Sequence, residues 1–185
     1  MENKFLEKVS QALSTELPYN ESMDDYLDEI LPSVRAIGED LREEHFYVNK
    51  GWLEFRDDEK FHDTILHFFN DGGEYLRSVN GDIKSGSWRF LEKTNKMMIS
   101  LGSESELFDL AYMDAEFFIL SKHGDQKRLK KRKYFVMAFE PIGKKLEWRK
   151  LVEKLYNKYR NSNNYYYFLA IMIVLIVILV VILSQ

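Results

Sequence analysis

The chain has 185 residues and no cysteine, which excludes a disulfide framework, a cysteine-ligated metal and a cysteine nucleophile. Hydrophobic residues make up 45% and charged residues 30% of the chain, a mixture that is typical of globular proteins and excludes extended disorder. The net charge of −4 conceals a gradient, because residues 1–44 carry −8 and residues 45–121 carry −6, whereas residues 122–160 carry +10.

The acidic residues 1–44 are predicted to form a helical N-terminal region. Residues 3–14 have an amphipathic helical pattern. Ser22 with Asp25 resembles a capping box that begins a second helix, and Pro32 is typical of the first turn of a third helix. These helices either pack on the next domain or form a loosely held acidic arm. Their negative charge makes a basic protein a candidate partner.

From residue 45 to residue 141 the pattern changes to eight short runs rich in aromatic and β-branched residues, separated by turn signals. Asn80-Gly81 supplies the two left-handed residues that a type I′ hairpin needs. Short turns favour an up-and-down antiparallel meander, and closing it into a barrel removes the unpaired edges. We therefore predict a mainly β fold. Its eight-stranded antiparallel barrel or meander has short N-terminal helices and a long C-terminal helix that runs into a single transmembrane span.

Several of these runs share a further rhythm of aromatic and turn residues. It comprises Trp52 in the opening strand, an Asp71-Gly72 turn, the strand Gly86-Ser87-Trp88, a strand over residues 98–101 and a strand over residues 114–120. In this rhythm residues 45–140 resemble the small bacterial lipocalin-like β-domains. The resemblance implies an eight-stranded barrel or half-open barrel, in a group whose members mostly have no assigned reaction. The acidic N-terminal region and the apolar C-terminal segment depart from the family pattern.

The interior of such a barrel can be filled by side chains or can hold one small ligand. The large side chains able to line it are Trp52, Tyr75, Trp88, Phe90, Phe118 and Phe135. So many aromatic residues favour a filled core over a cavity. A small apolar or lipid ligand in the barrel is the alternative.

Two groups of basic residues are predicted to contact an anionic membrane surface, where each contributes on the order of 1 kcal/mol. One group lies in a hairpin loop and the other in a basic helix over residues 142–164; together they are Lys130, Lys131, Arg132, Lys133, Lys150, Lys154, Lys158 and Arg160. The acidic helices are expected to face away from the lipid. A solvated loop is the alternative for the first group. Nucleic acid is not expected, because no stacking aromatic residues interleave the basic loop.

Residues 165–183 form a run of 19 residues without a charge, a glycine or a proline. A helix that crosses a hydrocarbon core about 30 Å thick needs about 20 apolar residues. Three tyrosines at the start of the run suit the membrane interface, and the basic residues before them place the bulk of the chain in the cytoplasm. The prediction is a single-pass protein of a bacterial inner membrane or, in a eukaryote, a tail-anchored protein.

Catalytic motifs are not found in the sequence. The four histidines, His45, His62, His67 and His123, do not have the spacing of a metal site. We predict no catalytic residue, no metal ligand and no cofactor. The favoured function is therefore a non-enzymatic binding or scaffold module. The alternatives are a membrane-bound sensor or carrier of a small apolar ligand and, least favoured, a hydrolase with a site of non-local residues.

Overall fold

A closed β-barrel forms the body of the molecule. The computed structural model describes residues 20–58, 60–124, 131–160, 166–167 and 169–176. Eight antiparallel strands follow one another around the barrel in chain order. They are β1 (Gly51–Phe55), β2 (Ile65–Phe69), β3 (Glu74–Val79), β4 (Asp82–Leu91), β5 (Lys96–Leu101), β6 (Glu104–Met113), β7 (Phe117–Lys122) and β8 (Tyr134–Phe139). The predicted mainly β fold with an eight-stranded antiparallel barrel is confirmed, and the architecture is consistent with a lipocalin-like fold.

Local sequence signals account for the hairpins of the barrel. Asn80 and Gly81 connect β3 to β4 with φ angles of 52° and 100°, the positive values that a type I′ turn requires. The flanking residues Val79 and Asp82 are paired, so the loop has two residues. The barrel closes where β1 pairs with β8, with Trp52 opposite Phe139. Closure leaves no strand edge unpaired.

Strand β7 shows how one run of residues serves two hydrophobic cores. Successive side chains of a strand point to opposite faces of the sheet. Phe118 and Leu120 lie in the core inside the barrel, whereas Phe117 and Ile119 lie in an outer core beneath the helices. All four residues are buried because both faces of the sheet are covered here. A continuous apolar run, rather than alternation, follows from this double burial.

The helices cover one outer face of the barrel. They are α1 (Met23–Val34), α2 (Glu140–Gly143) and α3 (Trp148–Arg160). Leu27 of α1 and Leu151 and Leu155 of α3 are fully buried in the outer core. The described acidic helix is therefore packed on the barrel, as the first of the two interpretations of this region expects.

Helix α1 begins as predicted and ends later than predicted. The Ser22 side chain accepts a hydrogen bond from the backbone N–H of Asp25 at 3.1 Å, which is the expected N-cap. Pro32 does not begin a third helix; α1 continues through it to Val34, and a short 3₁₀ turn over Arg35–Ile37 follows. A proline in a helix removes one backbone hydrogen bond. Burial of Leu31 and Val34 in the last turn of α1 outweighs this loss.

The apolar C-terminal segment is described only in part. Residues 166–167 and 169–176 are helical, and five of their side chains are 50–59% exposed: Ile171, Ile173, Val174, Leu175 and Ile176. In the part of the chain that the structure describes, no helix is both long enough and apolar enough to cross a membrane. The predicted span over residues 165–183 extends beyond the described residues, and the predicted helix over residues 3–14 lies outside them.

Candidate functional site

Aromatic rings fill most of the barrel interior. The rings of Trp52 and Phe118 lie 5.5 Å apart, and those of Phe69 and Phe118 lie 5.4 Å apart. The indole N–H of Trp52 donates to the backbone carbonyl of Tyr47 at 3.0 Å, so the buried polar atom has a partner. Of the residues proposed for the interior, Trp52, Tyr75, Trp88 and Phe118 are buried in this core, and Phe90 and Phe135 are partly buried against it.

One end of the interior is polar instead of aromatic. A cavity of about 140 Å³ lies at the end of the barrel where the C-terminal ends of β1, β5 and β7 meet the N-terminal ends of β6 and β8. We call this cavity the polar mouth. The polar side chains of its wall include Glu54, Arg56, His67, Tyr75, Arg77, Lys122 and Arg132. Two more acidic residues, Glu104 and Glu106, lie at its exposed rim.

Strand periodicity places the charged residues of the polar mouth inside the barrel. Glu54 follows the interior residue Trp52 by two positions in β1 and therefore points to the same side. His67 precedes Phe69 by two positions in β2. Across the ladders, Trp52 is paired with His67, and His67 is paired with Arg77 of β3. Three adjacent strands thus bring these side chains to one wall.

A chain of three hydrogen-bonded side chains crosses this wall. Glu54 and His67 are buried, and Glu54 Oε2 lies 3.1 Å from His67 Nε2. On the other side of the ring, His67 Nδ1 lies 2.6 Å from the hydroxyl of Tyr75. Burial lowers the pKa of His67 and outweighs the opposing effect of its hydrogen bond to Glu54, so the imidazole is neutral. Nε2–H then donates to Glu54, and the Tyr75 hydroxyl donates to Nδ1.

Two arginines match the charge of Glu54. Nε of Arg56 donates to Glu54 Oε1 at 2.7 Å, and both terminal nitrogens of Arg132 lie 3.3 Å from the same oxygen. Burial alone would raise the pKa of Glu54, but the hydrogen bonds from His67 and Arg56 outweigh it and lower the pKa to about 2. Glu54 is therefore ionised at neutral pH, and its negative charge is already compensated within the polar mouth.

The chain Glu54–His67–Tyr75 has the order of a carboxylate–imidazole–hydroxyl triad but not its chemical properties. Burial raises the pKa of Tyr75, so its phenol keeps its proton. The side chain of His67 is 2% exposed and both of its nitrogens are hydrogen-bonded. These three hydrogen-bonded side chains hold the wall of the polar mouth in place, and they give a hydrolase mechanism no support.

Arg77 differs from the other cations of the polar mouth. Its Nε is buried without a hydrogen-bond partner. Arg56 and Arg132 bind Glu54, and Lys122 Nζ lies 3.3 Å from the rim residue Glu106. Within the described ranges, Arg77 forms neither an ion pair nor a side-chain hydrogen bond. The polar mouth thus contains one guanidinium without a counter-charge from the described chain.

Two lysines predicted to contact lipid form ion pairs with the barrel. Lys154 Nζ lies 2.9 Å from Glu116, and Lys158 Nζ lies 2.5 Å from both Asp114 and Glu116. These carboxylates belong to the turn between β6 and β7. The ion pairs therefore connect helix α3 to the barrel.

Arg132 and Lys133 of the basic loop also bind acidic residues of the chain. Arg132 reaches Glu54 in the polar mouth, as described above. Lys133 Nζ lies 2.5 Å from Asp28 in helix α1, and the backbone N–H of Lys133 donates to Asp24 at 2.7 Å. The acidic helix and the end of the basic loop are therefore in contact, and the orientation of the acidic helices away from lipid stays a prediction.

For the remaining basic residues, the predicted contact with anionic lipid is not tested and stays a prediction. Lys131 is exposed, and Lys150 is exposed with its Nζ 2.8 Å from Glu153. Arg160 is partly buried at the end of helix α3, and Lys130 lies outside the described residues.

The sequence itself contains a signal for the polar mouth, which the predicted interior residues do not include. Glu54, His67 and Arg77 each share the inward phase of a neighbouring aromatic residue in their strand. A charged or imidazole side chain in this phase must be buried or must line an opening. Which of the two applies depends on the neighbouring strands, and the sequence does not specify them.

No family model, no curated protein and no solved structure matches the chain. Among the described residues, no group of three or more histidine and carboxylate side chains is placed to hold a metal ion. The interpretation of the site therefore rests on its own geometry.

Proposed function

We propose that this protein is a non-enzymatic binding module held at a membrane, and that the polar mouth is its binding site. One observation carries the proposal: aromatic rings fill the barrel interior except at one end, where charged side chains line a cavity of about 140 Å³. Pockets for drug-sized ligands measure about 300–1,000 Å³. The polar mouth therefore suits a small polar ligand or a single side chain of a partner protein.

The same observation weighs against a carrier of apolar or lipid molecules. A lipid chain would have to displace rings such as Trp52 and Phe118, which are in contact at the centre of the barrel. It would also have to pass the ion pairs of Glu54 with Arg56 and Arg132. We include the barrel among the lipocalin-like β-domains as part of the proposal, supported by the eight strands in up-and-down order.

The apolar segment over residues 165–183 supports the membrane anchor. Its described residues are helical, and five of their apolar side chains are half exposed instead of packed in a core. Full burial of such a side chain is worth about 1.5–3 kcal/mol, so leaving half of it in water forgoes about half of that free energy for each residue. Insertion of the helix into lipid recovers this free energy. The basic residues of helix α3 support a barrel on the cytoplasmic side, and Lys131 and Lys150 are the exposed residues proposed to contact anionic lipid.

Removing residues 165–183 should transfer the protein from the membrane fraction to the soluble fraction. We expect this because the deleted residues hold the apolar surface that lipid would cover. The barrel should stay folded, with a cooperative thermal unfolding transition. Fractionation of cells that express the two forms measures the effect. A truncated form that stays with membranes through a high-salt wash would show that the segment is not the principal anchor.

Filling the polar mouth should abolish ligand binding. Leu101 lines the cavity and is only partly buried, so Leu101→Trp extends a ring into the opening. The matched control is Ile83→Trp, at a position that is 67% exposed in the β3–β4 hairpin. The full chain in an uncharged detergent is heated with small anions, small cations and neutral sugars in turn.

At a concentration 100-fold above its dissociation constant, a ligand stabilises the folded state by about 2.7 kcal/mol. For a chain of this size that corresponds to about 5–10 °C in the unfolding temperature. We expect one class of solute to stabilise the wild type and Ile83→Trp but not Leu101→Trp. The proposal fails if no solute stabilises the wild type, or if Leu101→Trp responds as the wild type does.

A further inference from the structure

We infer that the polar mouth binds a small oxyanion of the phosphate type, and that Arg77 is its principal ligand. This inference rests on the proposed function and names the ligand class of the same site. Two side chains of the same cavity, Arg56 and Arg132, would supply further donors at its wall.

Arg77 carries the inference because it is the one cation of the polar mouth that no described acidic residue neutralises. A buried donor without an acceptor costs free energy, and a charged one costs more in a medium of low dielectric constant. The buried Nε of Arg77 is such a donor. An anion in the adjoining cavity would satisfy the donor and neutralise the charge together.

The buried ionisable groups of the polar mouth other than Arg77 are paired or neutral. Glu54 is shared by Arg56 and Arg132, and its second oxygen accepts from His67. His67 is neutral and uses both of its nitrogens within the wall. The lining as a whole has four cations, Arg56, Arg77, Lys122 and Arg132, against three carboxylates, so one positive charge is in excess. The site favours an anion over a cation or an uncharged ligand.

The size and the donors of the cavity indicate which anion fits. A volume of about 140 Å³ limits the ligand to a small molecule or a single small group. Guanidinium groups bind oxyanions through paired N–H donors in one plane. Arg77 lies on β3, whereas Arg56 and Arg132 lie next to β1 and β8, so the donors reach the cavity from different strands of its curved wall. A tetrahedral phosphate can accept from several directions, whereas a planar carboxylate accepts in one plane.

Titration of the full chain with inorganic phosphate tests the inference. The protein is held in an uncharged detergent, chloride keeps the ionic strength constant, and calorimetry measures binding. Arg77→Gln should bind phosphate at least about tenfold more weakly than the wild type, which corresponds to about 1.4 kcal/mol. Arg77→Lys keeps the charge without the planar donors and should lie between the two.

The matched control is Arg89→Gln. Arg89 is exposed on the neighbouring strand β4 and does not line the cavity. Replacing it by glutamine removes one positive charge, as Arg77→Gln does, but leaves the cavity unchanged. Arg89→Gln should bind phosphate as the wild type does. Circular dichroism checks that each variant is folded. If Arg77→Gln does not fold, the phosphate affinity of Arg77→Lys is compared with that of the wild type instead.

The phosphate group could belong to a free ion or to a lipid headgroup, and a second arm separates these sources. The full chain is placed in phosphatidylcholine nanodiscs with or without phosphatidic acid and is titrated with phosphate. If phosphatidic acid weakens the binding of phosphate, the site takes a lipid headgroup. If it does not, the site takes a free anion. Both results agree with the inference. Equal binding by wild type and Arg77→Gln, or no binding by either, would overturn it. If phosphate fails while a cation or a sugar binds in the Leu101→Trp assay, only the oxyanion is wrong and the proposed function stands.

Discussion

Replacing Trp52 by alanine should lower the free energy of unfolding by about 3–5 kcal/mol, the usual cost of truncating a buried tryptophan. Trp52 is fully buried at the centre of the barrel, with its ring 5.5 Å from that of Phe118. The substitution removes these contacts and also leaves the backbone carbonyl of Tyr47 without the indole donor. Urea unfolding of the full chain, followed by circular dichroism, measures the loss.

The control for Trp52→Ala is Trp148→Ala. Trp148 is partly buried at the start of helix α3, where its ring meets that of Tyr26 at 6.0 Å. Because less of the ring is covered, the loss of stability should be clearly smaller than for Trp52. Equal losses for the two variants would show that the centre of the barrel is not the most tightly packed part of the molecule.

Replacing Glu54 by alanine should lower the free energy of unfolding at neutral pH by about 3–5 kcal/mol, as for other buried ion pairs that lose one partner. The side chain of Glu54 is 4% exposed and its carboxylate binds Arg56, Arg132 and His67. After the substitution all three lose their acceptor. The control is Glu106→Ala, since the side chain of Glu106 is 56% exposed and its pair with Lys122 should contribute at most about 1 kcal/mol.

The pH dependence of stability provides a second measurement for Glu54. Burial would raise its pKa, but the hydrogen bonds from His67 and Arg56 lower it from 4.5 in the unfolded chain to about 2 in the folded state. Below pH 4.5 the unfolded chain takes up a proton that the folded state does not bind. The stabilisation by the carboxylate is thus full above pH 4.5 and is lost as the pH falls towards 2.

His67 shifts the stability in the same direction. Burial lowers its pKa below the ordinary value of 6.5, so protonation of the unfolded chain below pH 6.5 also favours unfolding. The wild type should therefore lose stability progressively below about pH 6.5. In Glu54→Ala the carboxylate contribution between pH 4.5 and pH 2 should be absent, and the decline in that range should be shallower. An unchanged decline would contradict the assigned role of Glu54.

The strands of the barrel could be predicted because their signals are local. Alternation or continuous runs of apolar residues mark each strand, and Asn80-Gly81 marks a hairpin by its own backbone preference. The end of helix α1 could not be predicted from such signals. Pro32 is a local sign of a helix start, but the packing of Leu31 and Val34 on the barrel carries the helix past it.

By itself the sequence determined the β-rich composition, the order of the strands, the N-cap at Ser22 and the apolar character of residues 165–183, because each depends on residues close in the chain. Only the tertiary structure decided where the charges meet. The polar mouth combines Glu54, His67 and Arg132, which are far apart in sequence and adjacent only when β1 pairs with β2 and β8. The positive charge of the basic residues can also be read from the sequence, but their ion-pair partners cannot. Their ion pairs with acidic partners depend on closure of the barrel and on docking of the helices, since a charge pattern specifies the sign of a partner and not its position.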